Sequence, residues 1–278
     1  MSSGSQQSFS PHERSCEIGG NRIVYWEKGI GDALFLIHGM FGDYLDWETV
    51  LEPLARTHRV IALDLPGFGQ SDKPVCDYSA GFYVDTLHAF FKQLAIERPT
   101  IVGNSFGGEV AILYAIAHPE NVSAMVLVSS GGLRLYSEEE KRVLSEKFSA
   151  ANLRAITPEI NEWMFAGVFS RESEERRRYL EKQNAKLQRA DYPAYTEILH
   201  RCMVLAFSLY FEDELRSIRC PVLLLWGDQD QVFPLSHAER ALALLPNAKL
   251  ALLPGAGHAP QLEAAEAFVT ELESFLRK

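Results

Sequence analysis

Two kinds of run alternate along the chain, and their alternation restricts its fold more than any other feature. Short aliphatic or β-branched runs read as strands: RIVYW (22–26), ALFLI (33–37), RVIAL (59–63), PTIVG (99–103), AMVLVS (124–129), PVLLLW (221–226) and AKLALL (248–253). Longer runs with helical spacing fall between or after them, namely YVDTLHAFFKQLA, FGGEVAILYAIAH, SHAERALALL and AAEAFVTELESFLRK. Most of the strand runs lack polar alternation, as expected where both faces of a sheet are covered. Strand and helix in turn specify an α/β fold, a mostly parallel central sheet flanked by helices. Residues 132–214 break the pattern, with several helical runs and no strand over a length too great for a structureless loop. They read as a helical cap inserted into a core domain of 16–131 and 215–278, and the polar start MSSGSQQSFSPHERS (1–15) reads as a disordered tail.

Charge narrows the partners. An excess of 37 acidic over 27 basic residues gives a formal charge of −10, which disfavours nucleic acid and anionic membrane surfaces, since both need clustered Lys and Arg. A small-molecule substrate is the expected partner. The cysteines Cys16, Cys76, Cys202 and Cys220 show no CxxC spacing, so neither a disulfide framework nor a zinc site is suggested. No apolar run approaches the ~18 residues of a membrane span, and no signal-like core opens the chain. The expected setting is cytoplasmic, with monomer and homodimer both open.

The chemistry is signalled by IVGNSFGGEVAI (101–112), where Ser105 stands between a strand run and a helix run with Gly103 and Gly107 two residues to either side. A turn this sharp forces its middle residue into an unfavourable backbone conformation and needs small neighbours where strand and helix nearly touch. That is the G-x-S-x-G nucleophile elbow, which exposes the hydroxyl at the carboxyl end of the sheet. The competing reading is a glycine-rich turn with an N-capping serine. A serine hydroxyl needs a base. Of the eight histidines, His258 in LLPGAGHAPQLE stands on a Gly-rich loop directly after the last strand run, on the same sheet edge as Ser105. An imidazole acting as base needs a carboxylate to fix its tautomer. In PVLLLWGDQDQVFP, Asp230 is placed to point back into the site, while Asp228 can spend its side chain on the turn.

With these residues in place, the sequence from about Asn21 to its carboxyl end resembles the α/β-hydrolase superfamily. GNSFGG, LIHGMFGDYLDW, VIALDLPGFGQSDKP, RCPVLLLWGDQDQVFP and GAGHAPQLE look like that family's sheet-edge loops, in family order. The resemblance implies a serine hydrolase with Ser105, Asp230 and His258 as its triad and the backbone N–H groups of Met40 and Phe106 as its oxyanion hole. Serine at the elbow points to attack on a carbonyl and an acyl-enzyme, hence to hydrolysis of a carboxylic ester or similar acyl bond. GNSFGG followed by a helical cap is also similar to the meta-cleavage-product hydrolases, which cut carbon–carbon bonds. Those enzymes tend to carry Trp after the catalytic histidine and an HGxGPG turn, where this chain has Ala259 and HGMFGD. A third reading is a non-catalytic small-molecule receptor of the same fold.

Aromatic residues in the insertion either pack it onto the core or line an apolar substrate pocket. The pocket candidates are Phe41, Trp163, Phe165, Phe169 and Phe207. No HExxH, P-loop or paired metal-ligand cluster occurs, so the motifs imply no cofactor and no metal.

Overall fold

Leu34 and Leu36 pack on one face of the central sheet, and Phe35 and Ile37 on the other, as the period-2 alternation of a strand requires. All four are buried, which explains why the ALFLI run lacks polar positions. A computed structural model describes residues 11–277. Its eight strands are β1 (Glu13–Ile18), β2 (Asn21–Lys28), β3 (Ala33–Ile37), β4 (Arg59–Leu63), β5 (Thr100–Asn104), β6 (Ala124–Val128), β7 (Val222–Gly227) and β8 (Ala248–Leu253). They form one sheet in the order β1-β2-β4-β3-β5-β6-β7-β8, with β1–β2 and β2–β4 antiparallel and the remaining pairs parallel.

Helices α1 (Glu48–Leu54), α2 (Ala80–Gln93) and α3 (Phe106–Ala117) connect strands of the first half of the sheet. Between β6 and β7 the described chain forms α4 (Glu138–Lys147), α5 (Ala150–Arg154), α6 (Pro158–Met164), α7 (Glu174–Lys186), α8 (Tyr192–Ser208) and α9 (Glu212–Leu215). Helix α10 (Ser236–Leu244) joins β7 to β8, and α11 (Pro260–Glu263) and α12 (Ala265–Leu276) follow β8. Tyr83, Phe90, Val110 and Ala238 bring α2, α3 and α10 onto one face of the sheet. Val50, Leu54, Phe268 and Leu272 bring α1 and α12 onto the other.

Each of the seven strand runs read from the sequence is a strand. Strand β1 is an addition, and it corrects the tail at its inner end. Residues 13–15, expected to be disordered, open a strand that pairs with β2 from Glu13↔Trp26 to Ile18↔Asn21. The rest of the expected tail, up to residue 10, lies outside the described residues. ERSCEI hides its strand because β1 is at the sheet edge and only Ile18 is fully buried, so its composition is mixed rather than apolar.

Candidate active site

Strand β5 ends at Asn104 and α3 begins at Phe106, leaving Ser105 alone at the bend with φ 54° and ψ −116°. That conformation costs a non-glycine residue on the order of 1–3 kcal/mol and persists only where its surroundings over-determine it. Here Ser105 N–H donates to the Val128 carbonyl at 3.0 Å, and Ser105 C=O accepts from Gly108 and Gly131 at 3.0 and 3.1 Å. The flanking glycines answer to close packing. A Cβ on Gly103 would overlap the Gly107 carbonyl, and one on Gly107 would overlap the carbonyl of Ile37 in β3.

His258 lies on the loop after β8 and Asp230 on the loop after β7. The His258 Nδ1 is 3.0 Å from Asp230 Oδ2. The other carboxyl oxygen, Oδ1, accepts from the N–H groups of Val232 and Phe233 at 2.8 and 2.9 Å. Burial alone would push the Asp230 carboxyl up. The His258 imidazole beside it and these hydrogen bonds outweigh burial and hold it below its ordinary value. An ionised carboxylate only accepts, so in the neutral ring Nδ1 carries the proton and Nε2 is left as the basic nitrogen. Asp228 is engaged elsewhere, its Oδ1 accepting from Gly255 N–H at 2.7 Å.

The turn after β3 is ordered by His38. Its Nε2 accepts from Leu65 N–H at 3.0 Å, which leaves Nδ1 as the protonated nitrogen, donating to Gly39 C=O at 2.8 Å. Burial pushes the His38 ring down from its usual range, which keeps it neutral. Gly42 N–H closes the turn on the same Gly39 oxygen at 3.1 Å, and Phe41 takes a positive φ of 64°. Among the described residues neither Met40 N–H nor Phe106 N–H meets an acceptor. Both residues line a cavity of about 430 Å³ that also holds Ser105 and His258. The Ser105 hydroxyl and the His258 ring share that space without a hydrogen bond between them.

Two aromatic groups line the same cavity. Phe41 stacks edge-on against Phe165 at 5.5 Å, and Phe165 against Tyr179 at 5.4 Å. Phe207 meets Tyr136 at 5.6 Å and Phe148 at 5.9 Å. A family model described as alpha/beta hydrolase fold matches residues 32–265 of this chain. The chain belongs to the α/β-hydrolase fold family. It is 32% identical to a dihydrolipoyllysine-residue acetyltransferase component of an acetoin cleaving system from Pseudomonas putida, over 99% of this chain and 72% of that one. It is 29% identical to a 2-hydroxy-6-oxo-6-(2'-aminophenyl)hexa-2,4-dienoic acid hydrolase from Metapseudomonas resinovorans, over 96% and 91% of the two chains. Among solved structures it is similar to a membrane phospholipase A described as a bacterial virulence factor, with a TM-score of 0.81 and 30% identity over 95% of this chain and 85% of that one.

Of the pocket residues expected in this α/β-hydrolase, Phe41, Phe165 and Phe207 line the cavity and two do not. Trp163 is 69% exposed, its ring 5.2 Å from the Lys147 ammonium. Two residues apart on a helix is about 200° of rotation, so Trp163 and the buried Asn161 and Phe165 cannot share a face. Phe169 is buried against Tyr179 at 5.4 Å, behind the lining rather than in it.

Sequence reasoning missed two features of the site. Glu109, one helical turn after Ser105, is buried and lines the cavity, with Oε2 lacking a hydrogen-bond partner among the described residues. Burial pushes its carboxyl well above the ordinary range. A cluster of charges also joins α7 to the turn after β3: Lys182 lies 2.5 Å from Asp46 and 3.1 Å from Asp43, and Lys186 lies 3.3 Å from Asp43. Burial alone would raise the Asp43 carboxyl, but the two ammonium groups drive it well below its usual value. The i, i+4 spacing of the two lysines was the available signal, since it places both on one face of a helix.

Proposed function

We propose that this α/β-hydrolase cleaves a carboxylic ester, or a similar acyl bond, of a small and largely apolar substrate through an acyl-enzyme on Ser105. The observation that carries the proposal is the 3.0 Å Asp230–His258 contact at a cavity that also holds a serine in a strained strand-to-helix turn. Ser105 Oγ attacks the carbonyl carbon while His258 Nε2 takes its proton, and Asp230 stabilises the imidazolium that results. The charge that develops on the carbonyl oxygen faces Met40 and Phe106 N–H, each such donor being worth about 3–4 kcal/mol of barrier. His258 then returns the proton to the departing alcohol, and water repeats the sequence on the acyl-enzyme. The apolar lining suits an aliphatic or aromatic acyl group and keeps bulk water from the intermediate.

p-Nitrophenyl acetate, butyrate and octanoate, assayed with the wild type and Ser105→Ala, test this reading. Turnover by the wild type and its near-complete loss in the variant are expected. A variant that keeps most of the rate removes Ser105 from the mechanism, and a wild type inert toward all three esters favours a non-catalytic receptor. A second reading is carbon–carbon bond hydrolysis of the meta-cleavage type, favoured by Asn104 beside the serine and by the relative named as a dienoic acid hydrolase. Decay of the absorbance of a dienoic meta-cleavage product supports it, and none at micromolar enzyme counts against it.

A further inference from the structure

Lys186 is buried in the charge cluster, its side chain 10% exposed, and its Nζ donates to the backbone carbonyl of Phe41. That carbonyl begins a continuous path to the cavity. The peptide unit carrying Phe41 C=O carries Gly42 N–H at its opposite end, and Gly42 N–H donates to Gly39 C=O at 3.1 Å. The peptide unit carrying Gly39 C=O in turn carries Met40 N–H at its opposite end. In a trans peptide the two groups point in opposite directions, so fixing the Gly39 oxygen fixes the direction of the Met40 N–H. Hydrogen bonds linked in this way polarise one another, so an ammonium at the head of the path strengthens the donor at its tail. His38 Nδ1–H, at 2.8 Å from the same Gly39 oxygen, is a second brace.

We propose that Lys186 is a positioning residue: through the Phe41–Gly42 and Gly39–Met40 peptides it sets the direction and polarity of the Met40 N–H. The proposal rests on the reading of Met40 as an oxyanion donor. Asp43 pairs with the Lys186 ammonium at 3.3 Å, and Asp46, paired with Lys182 at 2.5 Å, completes two carboxylates against two ammonium groups. The conformation of Phe41, at φ 64°, gives the turn a reason to relax once its carbonyl is released. Because α7 belongs to the segment between β6 and β7, the oxyanion donor is complete only when that segment is seated on the turn.

The test compares wild type, Lys186→Met and Lys186→Arg in p-nitrophenyl butyrate turnover and in inhibition by 1,1,1-trifluoroheptan-2-one, which forms a tetrahedral adduct with an activated serine. For Lys186→Met, kcat is expected to fall about 10- to 100-fold with KM nearly unchanged, and affinity for the ketone to weaken by a similar factor. Lys186→Arg, which keeps a donor, is expected to recover most of both. A Lys186→Met enzyme with unaltered kcat and ketone affinity, or one that raises KM alone, overturns the proposal. If that variant does not fold, as judged by circular dichroism, the charge-balanced Lys186→Met/Asp43→Asn variant is held to the same criteria. A wild type that neither hydrolyses the ester nor binds the ketone overturns the Ser105 reading and this proposal with it. A wild type that does both, matched by an equally competent Lys186→Met, overturns this proposal alone.

Discussion

The side-chain amide of Asn104 ties the serine turn to the histidine loop: its Nδ2 donates to the backbone carbonyl of His258 at 3.2 Å and to that of Val128 at 3.0 Å. Asn104 precedes Ser105 and is buried. Asn104→Ala leaves two carbonyls without this donor, at a cost of about 1–3 kcal/mol. Urea titration should show a lower midpoint at an unchanged slope. Esterase kcat should also fall, because the His258 loop loses a direct link to the residue beside the serine. Unchanged stability would mean that the loop is held by its other bonds, among them His258 N–H to Val168 C=O at 2.8 Å and His258 Nδ1 to Asp230 at 3.0 Å.

Strain at Ser105 makes a separate prediction. Alanine at 105 must keep φ 54° and ψ −116°, whereas glycine adopts them without steric cost. Relief of about 1–3 kcal/mol is partly offset by the extra freedom of glycine in the unfolded chain, about 0.4–1 kcal/mol. Ser105→Gly should therefore be more stable than Ser105→Ala by roughly 1 kcal/mol, or about 2 °C in Tm for a chain of this size. Both should be inactive. Equal melting temperatures would show that the turn relaxes when the hydroxyl is absent.

The serine turn, the histidine loop and the aspartate loop were legible because each is a local event: an apolar strand run ends, a glycine-rich turn follows, and chain order puts all three at one sheet edge. The two lysines were not legible, because their meaning depends on α7 docking against a turn 139 residues away in sequence from Lys182 to Asp43. Single-helix spacing says that Lys182 and Lys186 share a face, but not that two aspartates wait opposite. Trp163 failed for a related reason. Its apolar ring invites a pocket assignment, whereas Asn161 and Phe165 had already taken the buried face of that turn. Strand β1 escaped because an edge strand is held by backbone pairing, which leaves little trace in side-chain type.

Glu109 should make stability depend on pH in an unusual direction. Its carboxyl is raised by burial, so the folded state binds the proton more tightly than the unfolded state does. The stabilisation from that bound proton is complete below the unfolded pKa, near 4.5, and is lost as pH rises through the folded value. Glu109→Gln removes the proton equilibrium. Tm measured from about pH 5 to pH 9 should therefore fall for the wild type relative to Glu109→Gln as pH rises. Parallel curves would place the Glu109 carboxyl in contact with a compensating donor.

Asp230 works in the opposite sense, and in its case stability and activity can be separated. Its carboxyl is held below the ordinary value, so its contribution to stability is present above the unfolded pKa, about 3.9, and is lost as pH falls through the folded one. Asp230→Asn should be less stable than the wild type at neutral pH, and the difference should shrink in acid. Activity should suffer more than stability. An asparagine can still meet His258 Nδ1, but its amide can donate there, which favours the tautomer with the proton on Nε2 and removes the base proposed for Ser105. A fall in kcat of roughly 10³- to 10⁴-fold with KM little changed is expected for p-nitrophenyl butyrate. A loss of less than about tenfold would mean that the carboxylate seats the loop without governing the imidazole.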